Sequence, residues 1–348
     1  MLAVEEIPLR QYASEVQDVW RRNLAGMGHA DPDAKLRLGY LENPAGEGLG
    51  LALRADDANP LVGVICLHPR IIYRGALRMQ AANMADFAVD IGFRTLGPAL
   101  MLMKEAVALA ARRTMLLYGL PNRNSAAVCR RAGLNIMSGN MRRYARVLTG
   151  AHPRTQAWPP ALGLWLRPTL TLALRAAESW RALVLRPRLH CSPTSFEDPV
   201  IDALWARRPD DLLLGERSAD MLRWRFGRAG RGDWSICLAR RTDGEAVGFL
   251  VWRLNGGTAE VGDFYATDPS RVTAAMLNAF YRFARAQAAH SISLEFFGCS
   301  AIAEQIARAG LRPRDEDAIV VLATAADNAP ELAETERWYL TAFDNDAN

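Results

Sequence analysis

The sequence predicts a mixed α/β protein written as one domain twice, each copy a mainly antiparallel sheet flanked by helices. Three observations carry this. The chain has 348 residues, and at about 150 residues per domain that is two domains. An ordered series of short matches repeats along it. Asp86-Phe87 returns as Asp263-Phe264, and Arg131-Ala132-Gly133-Leu134 returns as Arg308-Ala309-Gly310-Leu311, both at an offset of 177. Upstream, Val62-Gly63 pairs with Val247-Gly248 at 185, and Leu36-Arg37 with Tyr40 pairs with Leu222-Arg223 with Phe226 at 186. One indel between Gly63 and Asp86 reconciles the offsets. Finally, the early strand candidates stand too close together for crossover helices, which excludes a doubly wound parallel sheet.

The elements of the first copy follow in order. Residues 11–24 place Tyr12, Val16, Val19 and Trp20 at helical spacing. Residues 48–54 and 61–67 are Val/Leu-rich strand candidates separated by the turn-like Asp56-Asp57-Ala58-Asn59-Pro60. A strand is expected over 84–89, a helix over 100–112 and a strand over 115–119. A helix over 124–131 is closed by Gly133, which suits a left-handed cap, and a final strand covers 141–148. The expected domains are residues 1–150, a connector over 151–190, a second copy over 191–325 and an acidic tail over 326–348.

Composition excludes several classes. Half of the residues are hydrophobic and 23% are charged, an ordinary globular balance. Lys plus Arg is 42 against 38 for Asp plus Glu, a net charge of +4. No whole-chain basic field is present, so a nucleic-acid partner is not expected. The five cysteines are scattered and form no CxxC pair, which argues against a disulfide framework and against a zinc site. With the acidic start Met1-Leu2-Ala3-Val4-Glu5-Glu6, the expected compartment is the cytoplasm. No apolar run is long enough to span a bilayer.

The informative segment is Val89-Asp90-Ile91-Gly92-Phe93-Arg94-Thr95-Leu96-Gly97-Pro98-Ala99, which joins a strand end to a helix start. Gly97 permits close backbone approach, and a helix's first turn offers unpaired N–H groups to an anion such as a pyrophosphate. Pro98 is tolerated at that first turn. Downstream, Asn122 precedes a helix that ends at Gly133-Leu134. The spacing of Arg94, Gly97 and Ala99, with the later Asn122 to Gly133, resembles the GNAT acyltransferase superfamily. The likeness covers residues 1–150 directly and the second copy through the repeat.

That resemblance implies two tandem GNAT-like domains and an N-acyltransferase using acetyl-CoA or another acyl-CoA. The amides of Arg94, Thr95, Leu96, Gly97, Pro98 and Ala99 would form the loop at the pyrophosphate, although Pro98 has no N–H to give. Val89 and Asn122 would complete the cofactor site. A small-molecule, sugar or peptide amine would attack the thioester directly. The family's acid, often a Tyr, falls on Cys129, which equally reads as a small core residue. Asp86 and His68 are the candidate bases, with structural roles as the alternative for both. In the second copy Arg94, Gly97, Ala99 and Asn122 become Arg271, Ala274, Met276 and Cys299, so that copy is expected to have lost its cofactor loop. Two other functions stay open. One is a Fem-type aminoacyl-tRNA-dependent transferase, and the other is a non-catalytic acyl-CoA-binding sensor or scaffold.

The connector carries six arginines against the single acid Glu178, with Trp158, Trp165 and Trp180. Its pattern Leu170, Leu174, Ala177, Trp180, Leu183 is helical. Peripheral membrane contact through 158–188 is one reading. Packing between the domains with the arginines in solvent is the other, and the preferred one.

Overall fold

The structure is a computed structural model that describes residues 2–24, 31–55, 61–121, 123–152, 160–228, 233–323 and 330–345. Chain order in the first half is β1 (Ala3–Pro8), α1 (Ala13–Asn23), α2 (Pro32–Leu36), a π-helical turn (Arg37–Leu41), β2 (Leu49–Arg54), β3 (Leu61–Arg74), β4 (Leu77–Val89), α3 (Leu96–Arg112), β5 (Leu116–Gly119), α4 (Arg123–Arg131) and β6 (Asn135–Val147). A long helix, α5 (Pro160–Val184), follows. The second half is β7 (Leu189–Thr194), α6 (Val200–Ala206), β8 (Leu213–Gly215), α7 (Ala219–Leu222), a second π-helical turn (Arg223–Gly227), β9 (Ser235–Arg241), β10 (Ala246–Asn255), β11 (Thr258–Ala266), α8 (Pro269–Ala286), β12 (Ser291–Gly298), α9 (Ser300–Arg308), β13 (Arg312–Ala323) and β14 (Trp338–Thr341).

Apart from the added β8 and β14, the order of the first half recurs in the second, down to a π turn that starts at the Arg of Leu36-Arg37 and of Leu222-Arg223. The two turns meet: the Trp224 indole N–H donates to the Leu38 carbonyl at 2.6 Å.

The strands form one sheet in the order β1-β2-β3-β4-β5-β13-β6-β12-β11-β10-β9-β7. Pairing is antiparallel except for β4 with β5, β11 with β12, and β14 with β8. The middle of this order shows an exchange. β13, the last long strand of the second half, lies between β5 and β6 of the first, and β6 borders β12. Neither half completes its sheet alone, so a cut near residue 150 or 191 would strip each of a central strand.

The segment expected as an acidic tail is instead part of the interior. β14 pairs with both β12 and β8, and β8 pairs with β3. Trp338, Tyr339 and Leu340 are fully buried, because this short apolar run within an acidic, Ala-rich stretch has a strand edge to cap. β1 was not expected either: its Glu5 and Glu6 hide the alternation, and it pairs as an edge strand on β2. His68, expected at a strand end, sits mid-strand. β3 runs through Pro69 to Arg74, pairing along its length with β4.

The connector helix α5 lies on the fold by one stripe, Arg167, Thr171, Leu174, Glu178, Arg181 and Leu185. Glu178 is buried beneath it, 2.5 Å from Arg285 and 3.6 Å from Arg146. The Thr171 hydroxyl accepts from the Gly150 N–H at 2.8 Å. Arg175, Arg186 and Arg188 are exposed, and Trp165 and Trp180 also point to solvent. Trp158 lies outside the described residues.

Candidate functional site

β4 and β5 pair only over Ala81–Asn83 with Leu116–Tyr118. Beyond that point β4 continues to Val89 while β5 ends at Gly119, so the strands part. A cavity of about 300 Å³ opens in the gap. Met84, Ala85, Asp86 and Phe87 line one side, Gly119, Leu120 and Pro121 the other, and Met103, Ser125 and Cys129 close the helical flank. Asn345, from the segment after β14, also reaches it. No sequence signal pointed to that residue.

A bulge in β4 aims Asp86. The β3–β4 register shifts between Val64 and Cys66, leaving two β4 residues opposite one on β3. Asp86 takes a left-handed backbone with φ of 50°. Such a conformation is strained for most residues but tolerated by Asp and Asn. Both carboxylate oxygens are held. Oδ2 accepts from the Tyr40 hydroxyl at 2.6 Å, and Oδ1 lies 2.8 Å from the Lys35 ammonium. Tyr40 sits on the first π turn, and π turns often mark functional sites. His68 does not line the cavity. It is buried behind Tyr40, with ring centroids 4.0 Å apart, and a side chain at Gly39 would collide with it.

Cys129 lies on the inner face of α4 and packs into the apolar cluster under the sheet. Burial pushes its thiol up to about 11, so it is protonated at neutral pH.

The loop from β4 to α3 is braced by the end of α1. Asp90 accepts from Arg22 at 2.9 Å and from Asn23 at 2.5 Å. Burial pushes the Asp90 carboxyl up, and these hydrogen bonds more than reverse it, so its pKa is lowered. Arg94 donates to the Val89 carbonyl at 2.8 Å and to the Asn23 side chain at 3.0 Å. Arg94 is therefore a brace for the loop in this structure, not a free loop cation. Leu96, Gly97 and Ala99 start α3 with no side-chain cap at Thr95. The N–H groups of Leu96 and Gly97 precede any i−4 partner in the helix, whereas the Ala99 N–H faces the carbonyl of Thr95, the N-cap. The space over Gly97 is open, with no atom within 4 Å of where a Cβ would stand. Asn122 lies outside the described residues.

The second half has neither feature among the described residues. Only Thr267 and Asp268 separate β11 from α8. Ala274 and Met276 fall inside the helix and are buried. The gap between β11 and β12 is filled by the chain itself. β14 pairs along Phe296–Gly298, and the Tyr339 ring packs on Phe264 and Phe296 at 5.6 and 5.4 Å. Asp263 matches Asp86 in sequence but not in company. Phe226 stands where Tyr40 would, and Asp263 accepts from Thr341 at 2.7 Å and from Arg217 at 3.0 Å. Arg217 also holds Asp344 at 2.7 Å, all three groups being fully buried. Arg217→Met strands two carboxylates in the interior and is expected to cost roughly 3–5 kcal/mol by urea unfolding at neutral pH.

No family model and no curated protein matches the chain. Solved structures do. A GCN5-related N-acetyltransferase of Anabaena variabilis superposes with a TM-score of 0.63 at 11% identity, over 94% of this chain and 73% of that one. Eis1 of Mycobacterium abscessus gives 0.58 at 15%, over 96% and 76%. N-myristoyltransferase of Saccharomyces cerevisiae, solved with bound myristoyl-CoA and inhibitors, gives 0.54 at 12%, over 93% and 80%. At these identities the likeness is one of fold. No helix among the described residues is long and apolar enough to cross a membrane. The parted strands, the bulge and the open helix start all lie in the first half of a chain that has the fold of the GCN5-related N-acetyltransferases.

Proposed function

We propose that the protein is an acyl-CoA-dependent N-acyltransferase whose single site lies between β4 and β5. The observation that carries this is the pairing of an open, glycine-bearing helix start with a cavity that a bulged aspartate faces. The N–H groups of Leu96 and Gly97 hold the pyrophosphate, and the pantetheine arm runs into the gap where β4 leaves β5. A cavity of about 300 Å³ is at the small end for ligand sites. It suits a thioester with a short acyl group, so acetyl-CoA is the favoured donor.

The amine nitrogen of the acceptor attacks the thioester carbonyl carbon. The C–N bond forms, the C–S bond breaks, and the nitrogen loses one proton while the CoA sulfur gains one. Asp86, fixed by Tyr40 and Lys35, takes the proton from the amine. Cys129 lines the thioester end, and the departing thiolate takes its proton from solvent, to which Asp86 returns the one it removed. Cys129→Ala is accordingly expected to lower kcat by less than about tenfold. A greater loss, together with loss of the basic limb of the pH profile, would make the thiol the acid.

The intact loop favours this reading over an aminoacyl-tRNA-dependent transferase, which has no use for a pyrophosphate site. Thermal melting with CoA, acetyl-CoA and longer acyl-CoAs tests it. Acetyl-CoA should raise the melting temperature. No rise with any of them removes the proposal, and a rise only with long chains replaces the acetyl donor with a fatty one.

A further inference from the structure

Helix α5 is apolar on the side that faces away from the protein. Its seating stripe contains the charged and hydrogen-bonding residues Arg167, Thr171, Glu178 and Arg181. Trp165, Leu172, Trp180 and Leu183 stand on the opposite side, 75%, 64%, 68% and 59% exposed. At 1.5 Å per residue that face runs about 27 Å. This inverts the usual amphipathic surface helix, whose apolar stripe faces the core. Scattered exposed apolar residues need no explanation, but a contiguous row this long marks a contact surface.

Charge selects the occupant. Glu178 is the only acid between residues 151 and 190, and it is buried under the helix against Arg285 and Arg146. What remains outside is cationic, with Arg175, Arg186 and Arg188 exposed beside the apolar face. A second copy of α5 would bring arginine to arginine with no acid to answer it. An anionic lipid surface answers both features, since tryptophan favours the headgroup boundary and arginine the anionic headgroups.

We propose that α5 seats the protein flat on an anionic lipid surface, with Trp165, Leu172, Trp180 and Leu183 in the boundary layer and Arg175, Arg186 and Arg188 on headgroups. The helix lies on the bilayer and does not cross it.

Flotation of the full chain tests this. Two vesicle preparations are used: pure phosphatidylcholine, and equal parts phosphatidylcholine and phosphatidylglycerol. The protein should float with the anionic vesicles only. The double variant Trp165→Glu, Trp180→Glu should lose at least about tenfold of that binding while melting at the wild-type temperature, since both side chains are mostly in solvent. Arg175→Gln should weaken it about fivefold. The proposal is overturned by no flotation with anionic vesicles, by equal flotation with phosphatidylcholine alone, or by a double variant that still floats. It is equally overturned if sedimentation shows a dimer that the double variant dissolves, because the face then belongs to a second copy.

Discussion

Gly97→Asp should leave the protein folded and abolish its stabilisation by acetyl-CoA. The two halves of that result have separate causes. A Cβ at position 97 meets nothing within 4 Å, and the residue is exposed in the first turn of α3. A carboxylate there is compatible with the helix dipole. Unliganded stability should therefore stay within about 0.5 kcal/mol of wild type. The same carboxylate would sit where the pyrophosphate is held, adding charge repulsion to lost space. Wild type at acetyl-CoA a hundredfold above its Kd gains about 2.7 kcal/mol by mass action, and the variant should gain none. Paired melting curves with and without acetyl-CoA check both halves at once. A variant that still shifts like wild type places the cofactor elsewhere.

Asp86→Asn should retain acetyl-CoA binding and lose about two to four orders of magnitude in kcat. Asn is the substitution to use because position 86 has a φ of 50°, which Asn tolerates and Ala does not. The amide keeps the bulge and can still accept from Tyr40, but it cannot take a proton from the acceptor amine. Its KM for acetyl-CoA should stay near that of wild type. If Asp86 only fastens Lys35 and Tyr40 in place, Asp86→Asn would lower stability and leave kcat within about tenfold of wild type. Tyr40→Phe is the companion measurement: it removes the 2.6 Å hydrogen bond but leaves the carboxylate, so its loss in kcat should be the smaller of the two.

Local order was legible in the sequence wherever one residue pattern dictates one element. α1, β2, α3, β5 and α4 fall within a few residues of their expected bounds, because each is a short apolar run or a helical stripe. The start of α3 was legible for the same reason. What stayed hidden depends on residues far apart in the chain. Lys35 and Tyr40 meet Asp86 only when a π turn folds over a β bulge, and neither device has a reliable local signature. Their one trace was the recurrence of Leu-Arg with an aromatic residue in both copies. The exchange of β6 and β13 left no trace, since either strand satisfies the same edge pattern. In α5 the helical period was readable, but the direction of its faces was not. Burial of Glu178 against Arg285 and Arg146 turned the tryptophans outward.

The second half sharpens what the first half does. Its Asp263 is locked by Arg217 and Thr341, its gap is filled by β14, and its helix begins after two residues instead of six. The two halves share an order of elements, and only the first leaves its gap open.

Titration calorimetry of the full chain with acetyl-CoA therefore decides whether the first half alone holds the cofactor. The structure predicts one equivalent bound per chain, abolished by Gly97→Asp. Absence of binding, or two equivalents per chain, would contradict it.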